Sequence, residues 1–406
     1  MRAEPIGIPT TPDWDMRPLR EITTLISRGT SPDYVEASTV SAIGQRCVQE
    51  KGFDASVARP HNPAVMRRVL RPLPGDVLLN STGTGTIGRS CIFDADGDSF
   101  IVDSHVTTIR PRPGFAEGRW IHAILSSPWG QQYLENNCYT GSTNQVELVF
   151  GRLAKMIFPV PPIAEQRRIA DIVDILDEQV DKETRVLDKL TFVRDAVLLR
   201  ELRQLEGCPY VRLEEIAAIE RGRFVARPRN DPRFYGGAYP FIQTGDVARG
   251  SGKVIYDATQ SLNEAGRRMS REFPAGTIAV TIAANIGETS ILGRPMCFPD
   301  SVVGVVLPPS VSTRFIELCI RQHKPILESR APQSAQKNIN LQDLRPLEIP
   351  LPSGDVQMSI ERMWDEAERF TNEASQGVHK LRLVKHGLME DLLTGRVRAT
   401  RPVRCH

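Results

Sequence analysis

The sequence predicts an α+β protein made of two copies of one mixed α/β module, each copy followed by a long helix. Three observations predict this fold: an internal repeat, short β-rich runs separated by turn clusters in each copy, and an apolar pattern of helical period at the end of each copy. Two helices of equal length in one chain can pair, so we expect an antiparallel coiled coil and a pseudo-two-fold internal repeat.

The repeat is clearest around two proline-rich runs. Pro159 and Pro350 lie 191 positions apart, and this offset then holds without a gap. The matches include Gln145 with Gln336, Gln166 with Gln357, Ile169 with Ile360, Asp174 with Asp365 and Leu190 with Leu381. With small gaps the repeat extends upstream, matching Leu19 with Leu213, residues 74–77 with 275–278, 87–88 with 286–287 and 104–106 with 301–303. Between these landmarks the copies differ almost completely, as expected if each reads a different target.

The first part of each copy contains short strands and one helix. Predicted strands cover residues 76–80, 90–93, 100–109, 276–282 and 301–307. The helix of the first copy is predicted over residues 119–135 and is echoed by 313–327.

The second part of each copy is a long helix. Apolar residues recur at steps of three and four from Ile169 to Val197 and from Ile360 to Leu388, with charged residues between them. Periodicity alone fits an ordinary amphipathic surface helix as well as a coiled-coil seam, and the repeat favours the seam. Some 36 residues would span about 54 Å, enough for a spacer. We therefore place domain boundaries at 1–157, 158–206, 207–348 and 349–406.

Composition limits the classes of function. Of 406 residues, 40% are hydrophobic and 25% charged, and no apolar run is long enough for a membrane helix, so we expect a cytoplasmic protein without a membrane partner. Seven cysteines without a CxxC pair indicate reduced thiols and no zinc site. The net charge of +2 is small for a protein that grips duplex DNA alone. Its basic residues would have to be clustered, or a partner would have to supply much of the affinity.

Motifs of catalysis are weak. Residues 83–88 read GTGTIG, which fits GxGxxG, but a strand-like run follows where a nucleotide site needs a helix. We interpret the run as a tight β-turn. The seven histidines show no metal-binding spacing, and no nucleophile–base pair is evident.

An arginine-rich segment predicts contact with nucleic acid. Residues 221–235 hold five arginines interleaved with aromatic residues, and glycine and proline indicate a loop able to project from a β scaffold. On its own a solvated basic loop fits equally well. The first copy has Arg28 and Thr30 at the equivalent place. Polar loops before each proline-rich run, 141–145 and 334–338, carry Asn and Gln, which suit adenine, although the shared glutamine also fits a structural role. The candidate DNA-binding residues are Arg28, Thr30, Thr84, Thr86, Arg89, Thr143, Asn144, Arg221, Arg223, Arg227, Gln243, Thr244, Asn285, Lys337 and Asn338.

Three local runs within this repeat resemble the specificity subunit of type I restriction–modification systems. They are residues 239–247 (YPFIQTGDV), 161–169 (PPIAEQRRI) and 385–397 (KHGLMEDLLTGRV), and the resemblance covers nearly the whole chain. The first copy departs from the terminal Leu-Leu-Thr-Gly run, with Arg200 after Leu198 and Leu199, where the chain continues into the next module.

The resemblance implies a non-catalytic, sequence-specific DNA-binding subunit. Each module would be a target-recognition domain that reads one half of a bipartite, interrupted duplex site, and the paired helices would set the spacer. By family, two methylation subunits dock on the helical regions and methylate adenine N6 with S-adenosylmethionine, and restriction subunits add cleavage with ATP and Mg²⁺. This chain itself would hold no cofactor.

Two other classes of function stay open at this point. One is a DNA methyltransferase or nuclease with an unrecognised motif, which would bind S-adenosylmethionine or cut DNA alone. The other is a non-catalytic coiled-coil scaffold with two protein-binding modules, which would show no salt-dependent binding to duplex DNA.

Overall fold

The computed structural model describes residues 13–65, 69–141, 146–205, 207–331 and 338–399. The helices are α1 (Leu19–Ile22), α2 (Gly118–Ser126), α3 (Pro128–Tyr133), α4 (Phe150–Leu153), α5 (Ile163–Arg203), α6 (Leu213–Ile216), α7 (Thr244–Arg249), α8 (Glu264–Arg268), α9 (Thr313–Gln322), α10 (Lys324–Arg330), α11 (Leu341–Leu344) and α12 (Gly354–Leu393). The strands up to the first long helix are β1 (Asp15–Pro18), β2 (Thr23–Arg28), β3 (Ser41–Ile43), β4 (Val48–Gln49), β5 (Gly52–Phe53), β6 (Arg59–Pro60), β7 (Val77–Asn80), β8 (Ser90–Ile92), β9 (Phe100–Val102), β10 (Val106–Pro111), β11 (Tyr139–Thr140), β12 (Glu147–Leu148) and β13 (Ile157–Val160). Those after it are β14 (Tyr210–Arg212), β15 (Ala218–Arg221), β16 (Tyr235–Phe241), β17 (Val254–Ile255), β18 (Gln260–Leu262), β19 (Glu272–Phe273), β20 (Ile278–Thr281), β21 (Thr289–Leu292), β22 (Met296–Cys297), β23 (Val302–Val306) and β24 (Glu348–Pro350).

The described residues form two compact units. Unit 1 contains the chain up to Arg185 and from Gln376 onward, and unit 2 contains Val186–Ser375, so α5 and α12 each contribute to both. No helix in the described ranges has the length and apolar character needed to cross a membrane.

Unit 1 is organised around an antiparallel sheet of order β2-β10-β7-β8. Every residue of β7 is buried, including Asn80 at its end, and the apolar run 77–79 fits a strand that is covered on both faces. Helix α2 covers one face, and Trp120 and Phe158 are fully buried in the core there. A smaller core around Phe93 lies beneath the sheet of order β6-β3-β9.

Unit 2 repeats this arrangement in its sheet of order β15-β23-β20-β21-β17. Strand β20 is again wholly buried, and helix α9 takes the place of α2, with Phe315 fully buried. A second sheet, of order β18-β16-β22-β19, carries its own cores around Phe241 and Phe298. The predicted α+β class, with two related modules and long helices, is confirmed.

Backbone hydrogen bonds fix which positions of the two units are equivalent. Gly88 donates to the carbonyl of Asn80 at 2.9 Å, and Gly287 donates to Thr281 at 2.9 Å. Both glycines have φ near +80°, at +81° and +78°, a conformation that side chains rarely adopt. The matches of 74–77 with 275–278 and of 87–88 with 286–287 are confirmed.

One expected match is wrong by one residue. Val106 lies opposite Asn80 in the sheet, and Val302 lies opposite Thr281, so Val106 is equivalent to Val302 rather than to Val303. The run of valines in β23 fits either register by sequence, because both positions are buried.

The same side chains tie each module to its long helix. In unit 1 Arg119 donates to Asp174 at 2.7 Å, and in unit 2 Arg314 lies 3.6 Å from Asp365. The buried amides of Gln166 and Gln357 donate to the proline carbonyls five residues earlier, at 2.8 Å in both units. These ties explain why the offset of 191 runs without a gap through this part of the sequence.

The long helices pair antiparallel within each unit. In unit 1 Lys385 pairs with Asp177, and Arg382 contacts Thr184 at 3.5 Å. Residue numbers decrease along α12 as they increase along α5, so the two helices run in opposite directions. In unit 2 Arg194 pairs with Glu368, while Leu198 and Ile360 are buried in one core.

The predicted apolar seam is wrong in part. Val193, Phe370 and Val384 are exposed, and in unit 2 the more covered side chain is that of Arg194, 15% exposed, instead of that of Val193. A sequence pattern that counts only apolar residues excludes arginine, although a guanidinium group can lie over an aromatic ring and pair with an acid at the same time.

Three predicted elements are interrupted. The helix expected over 119–135 ends at Ser126 and restarts at Pro128, because the hydroxyl of Ser127 caps α3 and proline occupies its first turn. The helix expected over 313–327 likewise divides into α9 and α10, with Pro325 in the first turn of α10. The strand expected over 100–109 is two strands, β9 and β10, separated by a turn.

Candidate nucleic-acid interface

Arg28 lies at the edge of the unit 1 sheet, at the end of β2. Its guanidinium donates to the carbonyl of Leu148 at 2.7 Å and lies 3.6 Å from the carboxylate of Glu147. The next residue, Gly29, passes so close to β9 that an added Cβ would lie 1.9 Å from the carbonyl oxygen of Val102. Thr30 then donates its N–H to that carbonyl at 3.0 Å, and its hydroxyl is buried without a partner among the described residues.

The glycine-rich run of unit 1 is a turn beside this edge. Thr84 is exposed, and the hydroxyl of Thr86 donates to Thr82 and Gly83 at 3.4 Å each. Arg89 reaches the side-chain oxygen of Gln49 at 3.4 Å. Strand β8 follows directly, so the interpretation of this run as a tight turn is confirmed.

Unit 2 builds the same backbone frame with different side chains. Gly222 donates to Val302 at 2.8 Å, as Gly29 donates to Val106 at 3.1 Å. Arg221, equivalent to Arg28, donates to the side-chain oxygen of Asn340 at 3.1 Å. Arg223 replaces Thr30; its side chain is exposed and has no partner within the described ranges.

Residues 222–231 form a loop, as predicted, but the first half of this loop lies on a core instead of projecting. Side chains alternate between exposed and buried, with Phe224 and Ala226 each 5% exposed, as in an extended segment that lies on a core. An added Cβ at Gly222 would lie 2.3 Å from the carbonyl oxygen of Phe298, so this glycine serves a close approach rather than flexibility.

The five arginines of this segment therefore differ in availability. Arg229 pairs with Asp300 at 3.1 Å and Arg233 with Asp231 at 2.7 Å. Arg227 donates to the carbonyls of Phe224 and Ala226 at 3.2 and 2.8 Å. The guanidinium of Arg223 has no partner among the described residues, while the main chain at Gly222 and Arg223 is held by hydrogen bonds to Val302 and Phe298.

The other candidates of unit 2 lie at two places. Asn285 is exposed in the turn after β20, and Ala283 in that turn bridges to Asn338, two residues before the partner of Arg221. These contacts place the turn that carries Asn285 beside Asn338, and Asn338 two residues from the partner of Arg221. The amide of Gln243 donates instead to Gln260 at 3.1 Å, and Thr244 begins α7. Thr143, Asn144 and Lys337 lie outside the described residues.

Two polar groups at these edges were missed by sequence reasoning. In unit 1 the hydroxyl of Thr82 shares a hydrogen bond of 2.8 Å with His105 and also contacts Gln45. In unit 2 Asn340 holds Arg221. The position of Thr82 directly before the glycine-rich run could have indicated a polar group at this edge. Nothing near Asn340 in the sequence indicates its contact with Arg221.

Comparison with known proteins decides the family. A model described as the type I restriction modification DNA specificity domain matches residues 70–191 and 206–380. The chain belongs to this family. It is a type I specificity subunit, a protein of DNA sequence recognition, as the sequence resemblance predicted.

Similar proteins span almost the same length. The specificity subunit is 20% identical over 417 aligned residues to the putative specificity subunit of the type I restriction enzyme MjaX from Methanocaldococcus jannaschii, covering 95% of this chain and 94% of the relative. It is 18% identical to the specificity subunit of the type I restriction enzyme HindI from Haemophilus influenzae, covering 80% and 86%.

Solved structures share the fold. A chain from a structure on complex assembly and conformational transition of a type I restriction–modification system superposes with a TM-score of 0.62 at 17% identity, covering 96% of this specificity subunit and 99% of that chain. The type I specificity subunit from M. genitalium superposes with a TM-score of 0.54 at 12% identity, covering 95% and 97%.

Proposed function

We propose that this specificity subunit reads the two halves of an interrupted duplex DNA site, with one module for each half. The observation that carries the proposal is the shared frame at Gly29 and Gly222, after which the next residue differs between the units: the hydroxyl of Thr30 is buried, whereas Arg223 is exposed. A constant backbone with variable side chains is what two readers of different half-sites require. The candidates of unit 1 would then contact one half-site and those of unit 2 the other.

The small net charge of the chain supports a DNA interface that this subunit shares with its partner subunits. Its net charge is only +2, and many arginines at the two edges are paired with acids or carbonyls. Since phosphate neutralisation supplies much of protein–DNA affinity, we propose that partner subunits provide part of the basic surface. This chain would supply the selection of sequence.

The long helices are proposed to set the spacer and to dock two methylation subunits. Helices α5 and α12 have 41 and 40 residues. They expose large apolar side chains: Phe192 is 74% exposed, and Leu383 and Val384 are each 58% exposed. Such residues on a helix favour a protein partner that covers them. Adenine N6 methylation with S-adenosylmethionine, and cleavage by restriction subunits with ATP and Mg²⁺, would reside in the partners, with the assembled complex acting on DNA in the cytoplasm.

Two measurements test this function. The chain assembled with its methylation subunits is expected to bind one interrupted duplex far better than a scrambled duplex, with affinity that falls as salt rises. Leu383→Ser with Val384→Ser is expected to weaken assembly, whereas Lys380→Ser, at an exposed polar position on the same helix, is expected to leave it unchanged. Equal binding to both duplexes would overturn the reading role, and full assembly of the double variant would overturn docking on this surface.

A further inference from the structure

The two units fill equivalent spaces beside the long helices in different ways. In unit 2 the indole of Trp364 is 1% exposed and lies against two guanidinium groups. Arg194 is 4.6 Å from the ring centroid and Arg321 is 4.9 Å from it. A buried aromatic ring with two guanidinium groups against it therefore fills the space between module and helix there.

Unit 1 has small or flexible residues at the matched positions. The offset of 191 places Val173 at the position of Trp364 and Lys385 at that of Arg194. The pairing of Arg119 with Asp174 and of Arg314 with Asp365 aligns α2 with α9, which places Ser126 at the position of Arg321. A cavity of about 930 Å³, lined by Val173, Ser126 and Lys385, occupies this part of unit 1.

The walls of this cavity suit a flat aromatic group. Val173, Val180 and Met389 supply apolar contact. His122 shares a hydrogen bond of 2.9 Å with Ser90, and burial lowers the pKa of His122 to about 4, so its ring is neutral at neutral pH. Lys385, which pairs with Asp177, supplies the cation that aromatic faces attract.

We propose that this cavity receives an aromatic side chain of a methylation subunit, in the manner in which unit 2 holds Trp364. This inference rests on the proposed docking of methylation subunits. A protein partner fits better than a small ligand because α5 and α12 expose apolar residues beside the cavity-lining positions: Ile175 is 48% exposed, and Leu383 and Val384 are 58% exposed. A partner would cover these side chains, whereas a small molecule within the cavity would leave them in water.

The test fills the cavity with the residue that unit 2 uses. Docking at unit 2, where Trp364 fills the equivalent space, would not use such an insertion. Val173→Trp is therefore expected to weaken binding of the methylation subunit at unit 1 alone, about tenfold or more, because its aromatic side chain loses the cavity. The mass of the assembled complex would then correspond to one methylation subunit at concentrations where the wild type holds two. Val173→Ala, which keeps the cavity open, is the matched control and is expected to bind two.

Further variants and a ligand assay distinguish a protein-docking cavity from a small-molecule site. Ser126→Arg, which adds the equivalent of Arg321 from an exposed position, is expected to act like Val173→Trp and serves if the latter does not fold. Folded variants that still bind two methylation subunits at full affinity would overturn the inference. If Leu383→Ser with Val384→Ser also has no effect, the docking proposal itself fails. A rise in melting temperature with free indole that is lost in Val173→Trp, together with unchanged assembly, would identify a small-molecule site and overturn the proposal.

Discussion

Replacing Arg223 with alanine removes an exposed guanidinium from a fixed part of unit 2. The backbone of Arg223 donates to Phe298 at 2.9 Å and accepts from the hydroxyl of Ser270 at 2.8 Å, and neither bond involves the side chain. We therefore expect the free energy of unfolding to change by less than about 0.5 kcal/mol. Any larger effect on DNA binding then reports a contact with DNA.

The size and pattern of that effect distinguish two kinds of contact. Loss of a phosphate contact should weaken binding to all duplexes and reduce the slope of log affinity against log salt by about one. Loss of a guanine contact should cost roughly 1–3 kcal/mol and relax one position of one half-site. Binding titrations of the complex at several salt concentrations, on cognate and singly substituted duplexes, measure both.

Arg221→Ala is the companion variant, because its guanidinium is held by Asn340 at 3.1 Å. We expect at least one of the two variants to change DNA binding, and the half-site read by unit 1 to be unaffected in both. Unchanged affinity, salt slope and base preference in both variants would refute the assignment of this edge to DNA.

Three further predictions concern the framework. Gln166→Ala removes three buried hydrogen bonds, to Glu117, Phe115 and Pro161, and should destabilise unit 1 by about 2–4 kcal/mol in urea unfolding. Gln357→Ala removes one hydrogen bond within the described residues and should cost about 1 kcal/mol, so equal losses would contradict this account. Glu317→Ala leaves Arg314 and Arg321 without their fully buried carboxylate and should lower the free energy of unfolding by about 3–5 kcal/mol. A decrease below about 1 kcal/mol in the same assay would show that these two ion pairs do not stabilise unit 2. Leu187→Pro should destabilise α5 by about 3 kcal/mol or more, lower the helical circular dichroism signal and impair both partner assembly and spacer selection; an unaltered complex would argue against the helix as a spacer.

The repeated framework was predictable because it depends on local signals. Glycines at positive φ, buried strands and the glutamine after each proline-rich run recur in both halves, and each has a fixed structural cause. The break between α2 and α3 was also encoded, since Ser127 followed by Pro128 is typical of a helix start.

The surface of the site was harder to predict. A segment with glycine and five arginines indicates a flexible loop by composition, and only the carbonyl of Phe298 beside Gly222 shows why the backbone is extended and fixed. Ion pairs such as Arg229 with Asp300 join residues distant in sequence, so the availability of each arginine depends on tertiary structure. The assignment of individual residues to DNA stays a prediction.

The most direct test of two independent readers is an exchange of the first module. Residues 15–157 would be replaced with the same region of a relative of different specificity, and modified adenines would be sequenced in cells that also supply the methylation subunits. We expect one half of the modified site to change while the other half and the spacer length stay the same. A change in both halves, or in neither, would contradict it.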